Sequence, residues 1–469
     1  MFFSILITLC YRITGKASFY TDIVSLGNFG FYKNGTFSFT LANNISNFKA
    51  GRVKLFIMTA KQYKSFLRDY MNFEIDIETC SYNERYEERM FNLSIGQVHQ
   101  FSDFIEEKGV YYSIIMNCDY NSAKFNDYYF VDAVYTNPND QHLDYRDIPK
   151  LIMYPIFLGL VSLLLVLFVI FLIIRKRHFL KIYIFILLCC VFYILFLVFS
   201  YISIKFDSTH DERSKWHICL TIFECLYCIG LFSLLMVSTR GWCILNVELN
   251  WKETLLNIFS VCVFFSMIYL QNNVTLNYWE LGFFAIEIVA MIWMARALFL
   301  NSHYAQKHIN AHMYVIKQAG IDPTTTPIYE KTKMYTYFLY VIISVVSTII
   351  IMNICLTWVE ADNWLISMTN IIIQFVTLLS TMIIFRPRGI VIDQYMMSDL
   401  SDEGERDEVR LDDLDGFNPN DKGGAVWQEG MKLPLQPILV GEEVSRKPMK
   451  KSEVAYTSIE EPILQNGDV

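Results

Sequence analysis

Seven apolar stretches follow one another between Leu151 and Phe385, at 151–174, 179–204, 216–238, 254–270, 279–300, 334–358 and 364–385. A hydrocarbon core about 30 Å thick takes roughly 20 helical residues to cross. Each stretch meets that length, 254–270 by the narrowest margin. Inside lipid the backbone must satisfy its own polar groups, so such runs fold as helices. Charged residues make up 18% of the 469, and the deficit falls almost wholly in this interval; soluble domains carry about a quarter. The pattern predicts a membrane α-helical bundle over 150–385, flanked by polar regions at 18–149 and 386–469.

The loops orient the bundle. Arg175, Lys176 and Arg177 follow the first stretch, Lys307, Lys317, Lys331 and Lys333 lie between the fifth and sixth, and Arg386 and Arg388 follow the seventh. Segments 271–278 and 360–363 contain no Lys or Arg. This asymmetry predicts a lumenal N-terminus and a cytosolic C-terminus. Trp216, Trp279, Trp358 and Trp364 then fall at lumenal helix ends, where interfacial aromatics belong. The net charge of −8 comes mostly from the two ends, which leaves no basic face for nucleic acid.

The first residues are apolar but too short to span, and Gly15-Lys16-Ala17 fits the small-x-small rule, predicting a signal peptide over 1–17. The alternative for these residues is a first buried strand. From 18 to 149 the pattern turns to short runs rich in β-branched and aromatic residues. Strands are expected at 23–32, 36–41, 53–59, 111–118 and 129–135, separated by Asn, Gly and Lys turns, as in an all-β antiparallel sandwich. Residues 62–71 have helical spacing instead. Sequons at Asn34, Asn44 and Asn92 lie here, and Asn273 lies in a predicted lumenal loop, so Asn273 and at least two of the other three are expected to carry glycans. Cys80 and Cys118 form an even pair in an oxidising lumen and predict one disulfide, worth about 3–4 kcal/mol. Cys225 and Cys228 have C-x-x-C spacing but sit in an apolar helix, where packing is the expected role.

After Phe385 the chain is polar and proline-punctuated. Asp402–Asp415 is acidic, opposed by Arg406 and Arg410, and a short basic patch spans 447–451. The composition predicts a disordered tail. Tyr456-Thr457-Ser458-Ile459 fits the tyrosine-based signal that clathrin adaptors read, and Tyr456 and Ile459 are its anchors.

Ionisable groups inside a membrane are costly and therefore functional candidates. Glu224 and Glu287 each lie eight residues past a Trp at a predicted lumenal end, at matched depth about 12 Å below that interface. Asn370, Gln374 and Thr377 share one helix face. These five residues predict a polar cavity; interhelical hydrogen bonds and an ion pathway are the competing roles. Lys181 and Arg296 are near cytosolic ends and snorkel. No catalytic motif is present: there is no H-E-x-x-H, G-x-S-x-G or P-loop. His308 and His312 are at i, i+4 spacing, which suits a metal but more often marks one face of an amphipathic helix. No enzyme activity, metal or cofactor is expected.

Motifs of rhodopsin-like receptors are missing, since the third stretch closes with Val237-Ser-Thr-Arg-Gly-Trp242 and the seventh with Ile384-Phe-Arg-Pro-Arg388. Those endings, through Gly241 and Trp242 and through Phe385, Arg386 and Pro387, resemble the GOLD-domain seven-transmembrane proteins, also called the lung seven-transmembrane receptor family. Arg175-Lys-Arg-His178 with Lys181-Ile-Tyr behind it, and the acidic tail, add to the likeness over roughly residues 18–415. Arg388, where the family has a small residue, and a short lumenal linker depart from it. The resemblance implies a GOLD-like β domain over the bundle, residence in Golgi, trans-Golgi or endosomal membranes, and a role in vesicle-mediated transport as a sorting or cargo receptor. The partners it implies are membrane lipids, a lumenal protein or glycan ligand and cytosolic coat or adaptor proteins. A non-rhodopsin-type signalling receptor at the plasma membrane is the main alternative, and a channel or transporter using Glu224 and Glu287 is another.

Overall fold

The structure, a computed structural model, describes residues 12–18, 23–43, 53–72, 75, 89–93, 99–118, 128–174, 181–210, 214–241, 251–273, 280–359, 363–386, 407–428, 431 and 433–440, some of them by backbone alone. The chain divides into two compact units, residues 1–305 with 330–397, and residues 306–329 with 398–469.

The first unit opens with β1 (Arg12–Ser18), β2 (Ile23–Phe31), β3 (Thr36–Asn43), β4 (Val53–Thr59), α1 (Ala60–Met71), β5 (Met90–Leu93), β6 (His99–Phe104), β7 (Gly109–Asn117) and β8 (Tyr128–Thr136). These form two four-stranded sheets, ordered β1-β8-β3-β6 and β2-β7-β4-β5, with antiparallel pairing throughout. Period-2 alternation sends Phe37, Phe39 and Leu41 of β3, Val53, Leu55 and Ile57 of β4 and Val131, Ala133 and Tyr135 of β8 into one core shared by both sheets. The residues between them on β4, Phe56 and Met58, face the other way. They pack with Ile114 and Met116 of β7 and with Phe66 of α1. Strands β4 and β7 are therefore covered on both faces, which explains their nearly unbroken apolar runs. Thr59 starts α1 with a capping box, accepting from the Gln62 amide at 3.3 Å while its own amide donates to Gln62 Oε1 at 2.9 Å.

The expected strands and the helix over 62–71 are present, and three strands were not anticipated. β5 and β6 have little apolar alternation. β1 falls in the segment expected to be a signal peptide: its backbone pairs with β8, from Arg12 opposite Val134 to Ser18 opposite Tyr128. Cleavage after Ala17 would strip this sheet of all but Ser18 of its edge strand; residues 1–11 lie outside the described residues.

Seven helices follow: α2 (Lys150–Ile174), α3 (Lys181–Thr209), α4 (Trp216–Thr239), α5 (Trp251–Asn273), α6 (Glu280–Gln318), α7 (Pro327–Val359) and α8 (Asn363–Ile384). Among the described residues, five helical segments are long and apolar enough to cross a membrane: Lys150–Ile174, Ile182–Thr209, Trp216–Thr239, Ala285–Gln318 and Trp364–Ile384; Thr254–Met267 is a shorter apolar helix. By length and composition the chain is a multi-pass membrane protein. Consecutive helices α2 to α5 pack on one another, and α8 returns to α2, where the Phe157 and Phe375 rings meet at 6.0 Å. Gly230 lets α4 approach α3, since a Cβ there would lie 3.2 Å from Cys189 Sγ. Asn273, expected in a loop, is the last residue of α5.

The segment expected to be a large loop between the fifth and sixth spans is mostly helical. α6 continues past Leu300 to Gln318 and closes in a Schellman motif. The Ile321 amide donates to Ile316 O at 3.2 Å and the Gly320 amide to Lys317 O at 3.0 Å, with Gly320 at φ +76°. Asp322 caps a 3-10 turn through the Thr324 amide at 2.9 Å and accepts the Thr324 hydroxyl at 2.7 Å; the hydroxyl bond first, and the amide bond with it, lowers its pKa. Pro327 then begins α7 at the position where its missing N–H costs nothing.

The second unit includes part of the tail that composition predicts to be largely disordered. β9 (Glu408–Arg410) and β10 (Ile438–Val440) pair in parallel. Val409 is buried with Ala311 and Val315, and Tyr314, Leu414 and Leu439 pack around them. The tail supplies only a few apolar residues, too few for a core of its own, and the end of α6 supplies the rest.

Candidate functional site

Two polar constellations stand out in the first unit. One runs through the helices. Tyr193 of α3 and Tyr227 of α4 are fully buried and stack with ring centroids 4.4 Å apart. A phenol hydroxyl in an apolar interior needs an acceptor. Tyr193 donates to Ile371 O of α8 at 2.9 Å, and Tyr227 to Gln374 O at 3.1 Å. Two hydroxyls thus hold α8 three residues apart, each using the second lone pair of a helical carbonyl.

Glu224 lies one turn before Tyr227 on α4 and acts electrostatically on both Tyr154 of α2 and Tyr193. Ser200 of α3 is buried, and its hydroxyl is spent within its own helix, donating to Phe196 O at 2.7 Å. The Gln374 Oε1 atom is buried with no hydrogen-bond partner among the described residues. Tyr154, Tyr193, Glu224, Tyr227 and Gln374 therefore belong to one polar seam crossing α2, α3, α4 and α8.

The predicted cavity residues divide. Glu224 and Gln374 belong to this seam, and Asn370 is half-buried on the same helix as Gln374. Thr377 is buried, but its hydroxyl is spent within its own helix, donating to Ile373 O at 2.7 Å. Glu287 is buried on α6. Sequence reasoning weighed carboxylates and amides and passed over the tyrosines. The available signal was a phenol in mid-span.

The second constellation joins the sheet region to α2. Asp144, 3% exposed, accepts the Gly30 amide at 2.8 Å and the Arg146 amide and Nε at 2.8 and 3.0 Å. Arg146 reaches on to Asn28 Oδ1 at 2.6 Å. Buried Asn137 donates to Gly30 O and Leu143 O at 3.2 and 2.8 Å and accepts the Tyr32 amide at 2.7 Å. The His142 amide donates to Ser208 O near the end of α3 at 3.3 Å. At the start of α2, Lys150 Nζ lies 2.7 Å from Asp147 Oδ1, with both side chains almost fully buried. The contact is an ion pair whose angles fall outside hydrogen-bond geometry, so both atoms lack a hydrogen bond proper. Burial pushes the Asp147 carboxyl above its ordinary value, and Lys150 opposes that shift.

Of the remaining predicted sites, Cys118 is disulfide-bonded and buried, while Cys80 lies outside the described residues. Asn34 is exposed in the turn between β2 and β3 at φ +67°, and Asn92 is exposed on β5. Asn44 lies outside the described residues, as do Trp242, Pro387, Tyr456 and Ile459. Gly241 has φ +84° and ends α4, its amide donating to Ser238 O at 2.9 Å. Phe385 is buried against Phe338 of α7, ring centroids 5.6 Å apart; Arg386 is exposed. His312, considered above as a metal ligand, bonds through Nε2 to Pro434 O at 2.9 Å. Among the described residues no group of three or more His, Cys, Asp or Glu could hold a metal. No family model matches the chain, and no curated protein is similar enough to be matched.

Proposed function

We propose that this is a sorting or cargo receptor of the secretory pathway, with a GOLD-like sandwich on the lumenal side, seven spans formed by α2 to α8, and a cytosolic C-terminal segment. What supports the reading is the junction. The two-sheet region is tied by Asn137, Asp144 and Arg146 to the segment leading into α2, and the His142 amide of that segment donates to Ser208 O of α3, so the region is not hung on a flexible linker. Such a connection suits a receptor that reports occupancy of its outer domain to the membrane. The polar seam around Glu224 serves as interhelical glue in this reading, with no reaction assigned to it. Coat or adaptor proteins, a lumenal protein or glycan, and membrane lipids are the proposed partners.

The test is the steady-state location of a tagged full-length chain. Golgi and endosomal membranes are the expected result. Residence at the plasma membrane would replace this reading with the signalling receptor.

A further inference from the structure

Between α5 and α6 the apolar surface is not flush. A recess of about 400 Å³ lies there, lined by Leu256, Phe259 and Val263 of α5 and by Ala285, Val289 and Trp293 of α6, and its walls are almost wholly apolar. Ser260 supplies the one hydroxyl of the lining, and that hydroxyl is spent on Asn257 O at 2.7 Å. Water in the recess would therefore find too few polar partners. Phe259 and Val289 are 59% and 66% exposed, so the recess opens outward, onto the face that a membrane protein turns to lipid. At about 1.5 Å per residue the lining stripes run roughly 10–12 Å along the helices, inside the roughly 15 Å hydrocarbon depth of one leaflet. That volume over that length leaves a channel about 6 Å across, room for one hydrocarbon chain and too narrow for a helix of about 10–12 Å.

Both stripes end in a cation. On α5, Lys252, Leu256, Phe259 and Val263 follow one another at i, i+4, i+7 and i+11, which is one helix face. On α6, Ala285, Val289, Trp293 and Arg296 do the same at i, i+4, i+8 and i+11. Only residues 274–279 separate the two helices, so they run antiparallel, and Leu256 and Trp293 stand at the same end of the recess. Lys252 lies about one turn beyond that end and Arg296 just under one turn, both exposed. By the loop charges this is the expected cytosolic end, where anionic lipids concentrate. We propose that the recess binds one anionic phospholipid, with an acyl chain along the α5 and α6 stripes and the phosphate between Lys252 and Arg296. Lipid tails are as apolar as the recess, so the chain alone gains little over bulk bilayer. The two cations supply the selectivity, about fivefold each. Arg296 brings a planar fork that holds phosphate through two donors, and Lys252 a mobile point charge.

Native mass spectrometry of the full chain in detergent tests the site, with palmitoyl-oleoyl phosphatidylserine titrated against the phosphatidylcholine that carries the same chains. Phosphatidylserine should bind at least about fivefold more tightly. Lys252→Gln and Arg296→Gln should each weaken it about fivefold and leave phosphatidylcholine unchanged. Lys333→Gln, at an exposed cation near the start of α7, should change neither. A phosphatidylserine with a photoreactive group in its acyl chain should label peptides spanning 256–263 and 285–293. Val289→Trp, which fills the recess from an exposed position, should abolish that labelling. Equal affinity for the two lipids, an equal loss at Lys333, or labelling that maps outside α5 and α6 would overturn the proposal. So would competition by glycerophosphoserine, the same headgroup without chains, since that marks a surface anion site. None of these outcomes depends on where the protein resides, so the receptor reading stands or falls separately.

Discussion

The Asp144 carboxylate accepts the Gly30 amide at 2.8 Å, and the same side chain closes the space into which any larger residue at Gly30 would grow. Tyr145 closes the other side. One bond therefore fixes both the position of the segment leading to α2 and the identity of the residue on β2.

Gly30→Ala should destabilise the sheet region by about 1–3 kcal/mol through overpacking. Asp144→Ala should cost more, about 3–5 kcal/mol, because it leaves Arg146 half-paired and the Gly30 amide unsatisfied. Thermal unfolding of the detergent-solubilised protein measures both. The two effects should be less than additive, since the residues share one contact.

Asp147 predicts a pH dependence. Its folded-state pKa is raised above the ordinary 3.8, so the folded chain holds this proton more tightly than the unfolded one. Its contribution to stability is full below the ordinary value and is lost as pH rises through the folded-state pKa. Subtracting the stability–pH curve of Asp147→Asn from that of wild type should reveal a slope of this sign just above pH 4. A slope of the opposite sign would show that the Lys150 charge, and not burial, governs Asp147.

Tyr193→Phe and Tyr227→Phe should each lower stability by about 0.6–1 kcal/mol, because the α8 carbonyls stay bonded within their own helix. Tyr193→Ala should cost about 3–5 kcal/mol by opening a cavity beside Tyr227. Gln374→Leu should be neutral or stabilising, since it removes a buried oxygen without a partner. Melting temperatures across the four variants decide this.

The N-terminus of the mature protein should retain Arg12, because β1 pairs from Arg12 onward. Intact-mass or N-terminal peptide analysis of protein from a secretory host checks it; a mature chain starting at Ser18 would show that β1 is not part of the native sheet. In the same material Asn34→Gln and Asn92→Gln should each remove one glycan, as both side chains are exposed, and a gel shift reads the loss.

Local pattern alone placed the apolar helices and half of the described strands, because hydrophobic periodicity is written residue by residue. The runs 53–59 and 111–118 announced β4 and β7, and 216–238 announced α4 almost to the residue. Carboxylates inside apolar runs were legible for the same reason. What only the tertiary structure decided depends on partners far away in sequence. Arg12–Ser18 is a strand because β8 lies beside it, and Tyr193 and Tyr227 matter because α8 offers them carbonyls. The described residues of 407–440 pack as they do because α6 supplies the apolar surface that their own composition lacks. Burial energy depends on the pair that meets, and one strand of sequence states only half of each pair.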